Sequence, residues 1–241
     1  MILLVDIGNT RLKWAQWQCG ELCGIGAMLH GSGDIKTELR KTWATWPEPK
    51  ILRLACVSSP AIKQLLIELV QQLWPKVVIQ EVRSEQYAKG LTNAYAAPEK
   101  LGVDRWFAMI GAFHYYAAPF CLVDCGTAIT LDVVDASGQH LGGMIMPGLT
   151  LMKQALSKGT ADLGVCAQAH PQGLAKYTEA AIYNGNLAAV RGFIEAGKVE
   201  YGYSVPLILT GGDAVFVASA LALDAIVDSD LVFKGLTVIE E

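Results

Sequence analysis

The sequence predicts an α/β protein made of two related halves. Two short apolar runs, residues 2–5 (ILLV) and 120–123 (FCLV), each run into an Asp-x-Gly turn, and they stand about half a chain apart. Each turn leads into an alternating, strand-like segment. Further short apolar runs then alternate with segments at helical spacing, the pattern of strands and helices sharing one core. We expect domains at 1–115 and 116–241, with Gly111 and Pro119 punctuating the boundary.

In the first half, residues 2–5 make a buried strand candidate. Leu12, Trp14 and Trp17 continue it past the turn, and Cys19-Gly20 reverses the chain. Residues 51–57 predict another strand. Ser58-Ser59-Pro60 is expected to cap a helix to about Trp74, with Leu65, Leu66, Leu69, Val70 and Leu73 at helical spacing. A strand at 77–82 and a helix at 99–115 follow.

In the second half, Ile129, Leu131 and Val133 alternate along a strand, and Ser137-Gly138 predicts a hairpin turn into 141–146. A helix at 177–199 carries Ala181, Ile182, Gly185, Ala188, Ala189, Gly192 and Phe193 on one stripe. A late strand at 207–209 ends in Thr210-Gly-Gly-Asp213. No stretch reads as a linker or a low-complexity tract.

The 241 residues are 52% hydrophobic and 17% charged, which excludes intrinsic disorder and leaves room for a self-association face. The net charge of −4 provides no basic footprint, so no nucleic-acid partner is expected. The first apolar run meets Asp6 at once, unlike a signal peptide. Residues 215–227 are broken by Ser219 and Asp224, so no membrane span is expected. Six cysteines without a Cys-x-x-Cys pair read as reduced thiols of a cytoplasmic protein.

Asp6-Ile-Gly-Asn-Thr10 stands where a buried strand emerges into a turn. Gly8 lets backbone N–H groups approach a ligand, Asn9 and Thr10 add donors, Lys13 adds charge, and Asp6 can hold a hydrated Mg²⁺. Together they suit a polyphosphate. One such turn could be an ordinary hairpin with capping groups. A second copy, Asp124-Cys-Gly-Thr127, favours two facing turns that clamp one nucleotide. The glycines of Thr210-Gly211-Gly212-Asp213 permit close approach of a base or ribose, or serve a plain strand-to-helix turn.

Gly102-Val103-Asp104-Arg105 sets a potential base beside an anion-binding guanidinium. A surface Asp-Arg pair would merely be solvated. Here Leu101, Trp106, Phe107 and Ile110 surround it with apolar residues, which favours a buried functional pair. Gly142-Gly-Met-Ile-Met-Pro-Gly148 reads as backbone geometry. His30, His114, His140 and His170 show no ligand spacing and receive no role. The tryptophans read as core and interface. No GxSxG, HExxH or Walker A motif is present.

These motifs, with Thr178-Glu-Ala-Ala-Ile-Tyr-Asn-Gly185, occur in the order of one family. The sequence resembles the type III pantothenate kinases over nearly its whole length, from Asp6 to Asp213. The resemblance implies two ribonuclease H-like domains of the actin, Hsp70 and sugar kinase superfamily, with the nucleotide cleft between them. It implies ATP-dependent phosphorylation of pantothenate, the first step of coenzyme A biosynthesis, by a homodimer whose active site lies near the subunit interface. It also implies Mg²⁺ and a monovalent cation, K⁺ or NH₄⁺.

Carried onto this sequence, the resemblance places Asp6 toward Mg²⁺, with Gly8, Asn9, Thr10, Lys13 and Thr127 toward phosphate. Asp124 falls toward the monovalent cation, and Gly211 and Gly212 toward adenosine. Pantothenate falls to Tyr95, Gly102, Val103, Asp104, Arg105 and Thr178, with Asp104 as proton acceptor. The alternatives are another small-molecule kinase or phosphatase on this fold, or a catalytically silent nucleotide-binding regulator. The silent regulator would be expected to lack Asp6 or Asp104, and both are present.

Overall fold

The structure, a computed structural model, describes residues 1–31, 34–159, 170–201 and 205–239. The chain opens with β1 (Ile2–Ile7), β2 (Arg11–Gln18), β3 (Glu21–Leu29), α1 (Ile35–Trp43), β4 (Ile51–Cys56), α2 (Pro60–Leu73) and β5 (Val78–Glu81). A small hairpin, β6 (Tyr87–Ala88) and β7 (Leu91–Thr92), and a 3₁₀ turn (Pro98–Lys100) precede α3 (Val103–Tyr116). Then come β8 (Phe120–Cys125), β9 (Ala128–Val134), β10 (His140–Pro147), α4 (Leu149–Gly159), α5 (Thr178–Tyr201), β11 (Leu207–Thr210), α6 (Ala214–Leu221), β12 (Ile226–Val227) and α7 (Leu231–Thr237).

The chain divides into two compact units, Met1–Tyr115 with Leu231–Glu241, and Tyr116–Asp230. Each unit is built on one five-stranded sheet. The first has the order β3-β2-β1-β4-β5 and the second β10-β9-β8-β11-β12, so the two match strand for strand. In each, the opening strand pairs antiparallel with the hairpin strand and parallel with the later one. Even the irregularity recurs: the register shifts between Trp14 and Gln16 against β3, and between His140 and Gly142 in β10.

The C-terminal residues differ from the sequence expectation, which assigned them to the second half. Helix α7 belongs to the first unit, where Arg53 Nη1 donates to the Leu236 carbonyl at 2.9 Å and Gly235 packs directly on the Phe107 carbonyl. A seven-residue helix carries little sequence signal of where it docks, and a backbone contact at a glycine carries less.

β1 and β8 are buried along nearly all their length because each lies in the middle of its sheet. In the first unit, Trp14 meets Trp43 edge-on at 5.9 Å and Trp43 stacks on Trp74 at 6.0 Å, inside the cluster that buries Leu3, Val5 and Leu52. These tryptophans are core, as the sequence suggested. In α2, Leu66, Leu69 and Val70 are buried, and Ser59 precedes the helix without a side-chain cap, so Pro60 in the first turn sets the entry.

Two expectations change. Helix α3 begins at Val103 rather than Glu99, because Leu101 is extended and the 3₁₀ turn at Pro98 stands apart from the helix. In α5 the core face consists of Ala180, Tyr183, Leu187, Val190 and Ile194. Most of the expected stripe lies on the other side: Ala181, Gly185, Ala188, Ala189 and Gly192 are exposed, while Ile182 is half-buried and Phe193 packs against the core. Both faces are apolar at helical spacing, so periodicity alone does not choose between them. Of the six cysteines, Cys121 and Cys125 are buried, Cys56 is half-buried, Cys19 and Cys23 are exposed, and Cys166 lies outside the described residues.

Candidate active site

In the first unit, the end of β1 carries Asp6, which the central position of the strand leaves only 6% exposed. Asp6 lies directly opposite Lys13 of β2 and beside Ala55 of β4. A carboxylate and an ammonium at opposed antiparallel positions share one face of the sheet. Past Ile7, the Gly8 N–H donates to the Arg11 carbonyl at 3.0 Å, closing a turn that leaves Asn9 and Thr10 exposed. The Thr10 carbonyl accepts from the His30 N–H at 3.0 Å. Burial holds the His30 imidazole below its ordinary pKa, against the opposing pull of the Asn9 and Arg11 backbone.

The second unit repeats this construction. The Gly126 N–H donates to the Ala128 carbonyl at 3.1 Å, and Thr127 is exposed at the tip. The Thr127 carbonyl accepts from the Gly148 N–H at 2.9 Å. His30 and Gly148 each follow the third strand of their sheet, so the two turns are braced from equivalent places. The last glycine of the Gly142 to Gly148 motif is required by this bracing, since a Cβ there would overlap the Gly126 and Thr127 carbonyls.

β11 brings Thr210 beside Asp124 in parallel register. At Gly211 (φ +92°) the backbone packs against the Asp124 carboxylate and the Cys125 carbonyl, and Asp213 N–H donates to that carbonyl at 2.9 Å. Asp124, Thr127 and Gly211 are therefore gathered at one end of the second sheet, with Gly212 exposed beside them. Burial pushes the Cys125 thiol up to about 12, with smaller contributions from Asp124 and Asp213.

The element at the start of α3 is built on glycine. The Gly102 carbonyl accepts the Trp106 N–H at 3.0 Å, the first bond of the helix. Asp104 Oδ1 accepts the Arg105 N–H at 2.8 Å and folds back over Gly102, where a Cβ would fall 2.5 Å from that oxygen. A side chain at 102 would displace the carboxylate. Arg105 is 6% exposed; its Nη1 donates to the Tyr95 hydroxyl at 3.0 Å, and its guanidinium lies 5.8 Å from the Tyr95 ring centroid. Tyr95, Gly102, Asp104 and Arg105 are thus brought together within the first unit. Val103 is buried.

Thr178 is the exposed first residue of α5, and among the described residues no hydrogen bond ties it to Asp124, Thr127 or Gly211. A cavity of about 360 Å³ opens at the C-terminal ends of β4 and β5, lined by Cys56, Ser58, Lys63, Arg83, Lys100 and Gly102 among others. It borders Gly102 and Val103, while Tyr95 and Asp104 lie outside its lining.

Among the described residues, no group of three or more His, Cys, Asp or Glu could hold a metal ion. Single carboxylates such as Asp6 and Asp124 suit a cation that takes its remaining oxygens from water and phosphate. Two buried polar groups escaped the sequence reading. His140 Nε2 lies 3.0 Å from Asp132 Oδ1, both fully buried, a pairing made by the hairpin register. Asn93 is 3% exposed and tethers the loop that carries Tyr95. No spacing signal marks either residue.

The family model for type III pantothenate kinases matches residues 2–198. A type III pantothenate kinase of Nitrosococcus oceani is 37% identical, covering 98% of this chain and 92% of the relative. One of Laribacter hongkongensis is 38% identical, covering 98% and 97%. Among solved structures, one described as a Baf family transcriptional activator from Campylobacter jejuni aligns with a TM-score of 0.59 at 22% identity, over 98% of this chain and 95% of that one. Component A of the (R)-2-hydroxyglutaryl-CoA dehydratase of Acidaminococcus fermentans aligns with a TM-score of 0.55 at 12% identity, over 97% and 93%.

Proposed function

The chain belongs to the type III pantothenate kinase family, and from that premise we propose that the residues gathered above carry ATP-dependent phosphorylation of pantothenate. The reaction yields 4'-phosphopantothenate and ADP and opens coenzyme A biosynthesis. The fold is that of the actin, Hsp70 and sugar kinase superfamily. The observation that carries the site assignment is the meeting of Tyr95, Gly102, Asp104 and Arg105 at the start of α3.

Pantothenate has a primary alcohol at one end and a carboxylate at the other. Asp104, in the first turn of α3, accepts the hydroxyl proton as the oxygen attacks the γ-phosphorus. Arg105 and Tyr95 hold the polar remainder of the substrate, with Gly102 and Val103 shaping the backbone beside it and Thr178 adding a hydroxyl. Gly8, Asn9, Thr10 and Lys13 receive phosphate oxygens in the first unit and Thr127 in the second. Gly211 and Gly212 present backbone to adenosine, with Gly212 exposed at that end of the sheet.

The donor chemistry fits the two cations. Asp6 supplies hard carboxylate oxygens for Mg²⁺ at a strand end, opposite the Lys13 ammonium. Asp124, packed beside the Gly211 backbone and the Cys125 carbonyl, fits K⁺ or NH₄⁺. When bound, these ions offset the negative charge of the phosphate oxygens.

A homodimer is supported by the outer face of α5, where Ala181, Gly185, Ala188, Ala189 and Gly192 expose an apolar surface that a second copy would cover. Thr178 opens the same helix, which agrees with an active site near the subunit interface. Among the described residues no helix is long and apolar enough to cross a membrane. The five cysteines among the described residues are free thiols, which suits the cytoplasm.

The deciding experiment is a coupled ADP-release assay with and without pantothenate, with the product identified by mass. Pantothenate-dependent ADP release with a phosphorylated product is expected. ADP release that ignores pantothenate would point to another acceptor, and none at all to a silent nucleotide-binding protein.

A further inference from the structure

We infer that Asn93 is a positioning residue for the substrate site, acting through Tyr95. The inference rests on the assignment of Tyr95 and Arg105 to pantothenate. Between β7 and α3 the chain has only a three-residue 3₁₀ turn of regular structure, yet this stretch must deliver the Tyr95 hydroxyl to Arg105 Nη1 at 3.0 Å. A loop without ladder bonds needs another source of order.

The Asn93 side chain supplies it. Its Oδ1 accepts the Tyr95 N–H at 2.9 Å, a turn in which the side chain caps the backbone two residues on. Its Nδ2 donates to the Glu85 carbonyl at 3.2 Å and the Pro98 carbonyl at 3.4 Å. One buried amide thus joins the chain at 85, 95 and 98. Its two donors and its oxygen are all used, so its orientation is specified.

The anchor is itself held. The Asn93 N–H donates to the Gln86 carbonyl at 2.9 Å, and Gln86 Nε2 returns a bond to the Asn93 carbonyl at 2.9 Å. These bonds close the β6–β7 hairpin at its open end. Nearby, Ser84 Oγ donates to the Leu101 carbonyl at 2.9 Å, fixing the other end of the loop just before Gly102. The loop is therefore tied at both ends and at its middle, and the middle tie aims Tyr95.

The test is steady-state kinetics on Asn93→Ala, Asn93→Asp, Tyr95→Phe, Arg105→Ala and the double variant Asn93→Ala with Tyr95→Phe. Asn93→Ala is expected to raise the pantothenate KM about tenfold while the ATP KM stays within about twofold. Asn93→Asp keeps the acceptor for the Tyr95 N–H and loses both donations, so it falls between wild type and Asn93→Ala. The double variant is expected to bind pantothenate no worse than about twofold below the weaker single variant, because Asn93 acts through the lost hydroxyl.

Multiplying effects in the double variant would overturn the proposal, as would parallel rises of the ATP and pantothenate KM values. So would Asn93→Asp and Asn93→Ala both at the wild-type pantothenate KM while Tyr95→Phe and Arg105→Ala are impaired. If Arg105→Ala itself leaves that KM unchanged, the substrate-site assignment fails instead, and the positioning role falls with it. Asn93→Asp has nearly the native side-chain volume, so a comparison remains if Asn93→Ala does not fold.

Discussion

Arg105 donates through Nη1 to the Tyr95 hydroxyl at 3.0 Å, across ten residues of chain that include a hairpin exit and a 3₁₀ turn. The guanidinium is nearly buried and lies 5.8 Å from the Tyr95 ring centroid. Its orientation is thus specified before substrate arrives, which lowers the ordering cost of binding.

Tyr95→Phe removes the hydroxyl acceptor and keeps the ring. Its pantothenate KM is expected to rise about tenfold or more, on the scale of about 1.5–3 kcal/mol for one hydrogen bond to a charged donor. Arg105→Ala also removes the charge and should raise it further, with the ATP KM little changed in both. Equal pantothenate KM values for wild type and Arg105→Ala would exclude a substrate-holding role.

Asp104→Asn keeps the shape of the side chain and the acceptor for the Arg105 N–H, and it cannot take the substrate proton. Loss of a general base costs about 10²- to 10⁴-fold in kcat, roughly 3 to 5 kcal/mol of barrier. A loose phosphoryl transition state puts the expected loss toward the lower end. ATP binding measured by calorimetry should be unchanged. Retention of more than about a third of wild-type kcat would mean that Asp104 is a structural partner of Gly102 and Arg105.

Gly211→Ala should damage nucleotide use. The added methyl overlaps the Asp124 carboxylate and the Cys125 carbonyl, and φ is +92°. Strain of this kind costs about 1–3 kcal/mol and displaces the groups assigned to the cation and adenosine. Asp124→Ala should abolish the dependence of activity on K⁺ or NH₄⁺, read by titrating either salt into Tris buffer with Mg²⁺. An unchanged salt titration curve would remove Asp124 from the cation site.

Ala189→Glu places a carboxylate in the exposed stripe of α5, where a second copy is assigned. Sedimentation should show wild type at about twice the 25.9 kDa chain mass and the variant shifted toward one chain. A wild-type mass of one chain at micromolar concentration would refute the dimer.

The buried thiols predict an alkaline loss of stability. Burial raises the Cys121 and Cys125 pKa values from an ordinary 9.0 to about 12. Between those values the folded state holds protons that the unfolded state releases, so their contribution is complete below about pH 9 and is lost as pH rises toward 12. At pH 10 each thiol costs about 1 kcal/mol of stability by this linkage. Urea midpoints should fall less between pH 8.5 and 10 in Cys121→Ala/Cys125→Ala than in wild type. Peptide-mapped alkylation of the native protein should label Cys19 and Cys23 and spare these two.

Much of the local geometry of the candidate site was legible because its signals are local. Asp6 and Asp124 each follow an apolar run and precede a glycine, and a strand followed by a tight turn makes the same shape wherever it occurs. The pairing of Arg105 with Tyr95 was legible only as two separate assignments, since the intervening loop has no period to read. Asn93 was not legible at all. An asparagine in a loop is unremarkable until three chain points are seen to converge on it.

By itself the sequence determined the α/β class, the two matching halves, the turns and the start of α3 within a few residues, because hydrophobic period and glycine placement act over short stretches. Tertiary structure alone decided which face of α5 turns inward, since both faces are apolar and only the packing partner distinguishes them. It also decided that α7 returns to the first unit and that Gly211 lies against Asp124. Those are contacts between segments far apart in the chain. Their free energy depends on shape and burial in the folded state, which no local pattern encodes.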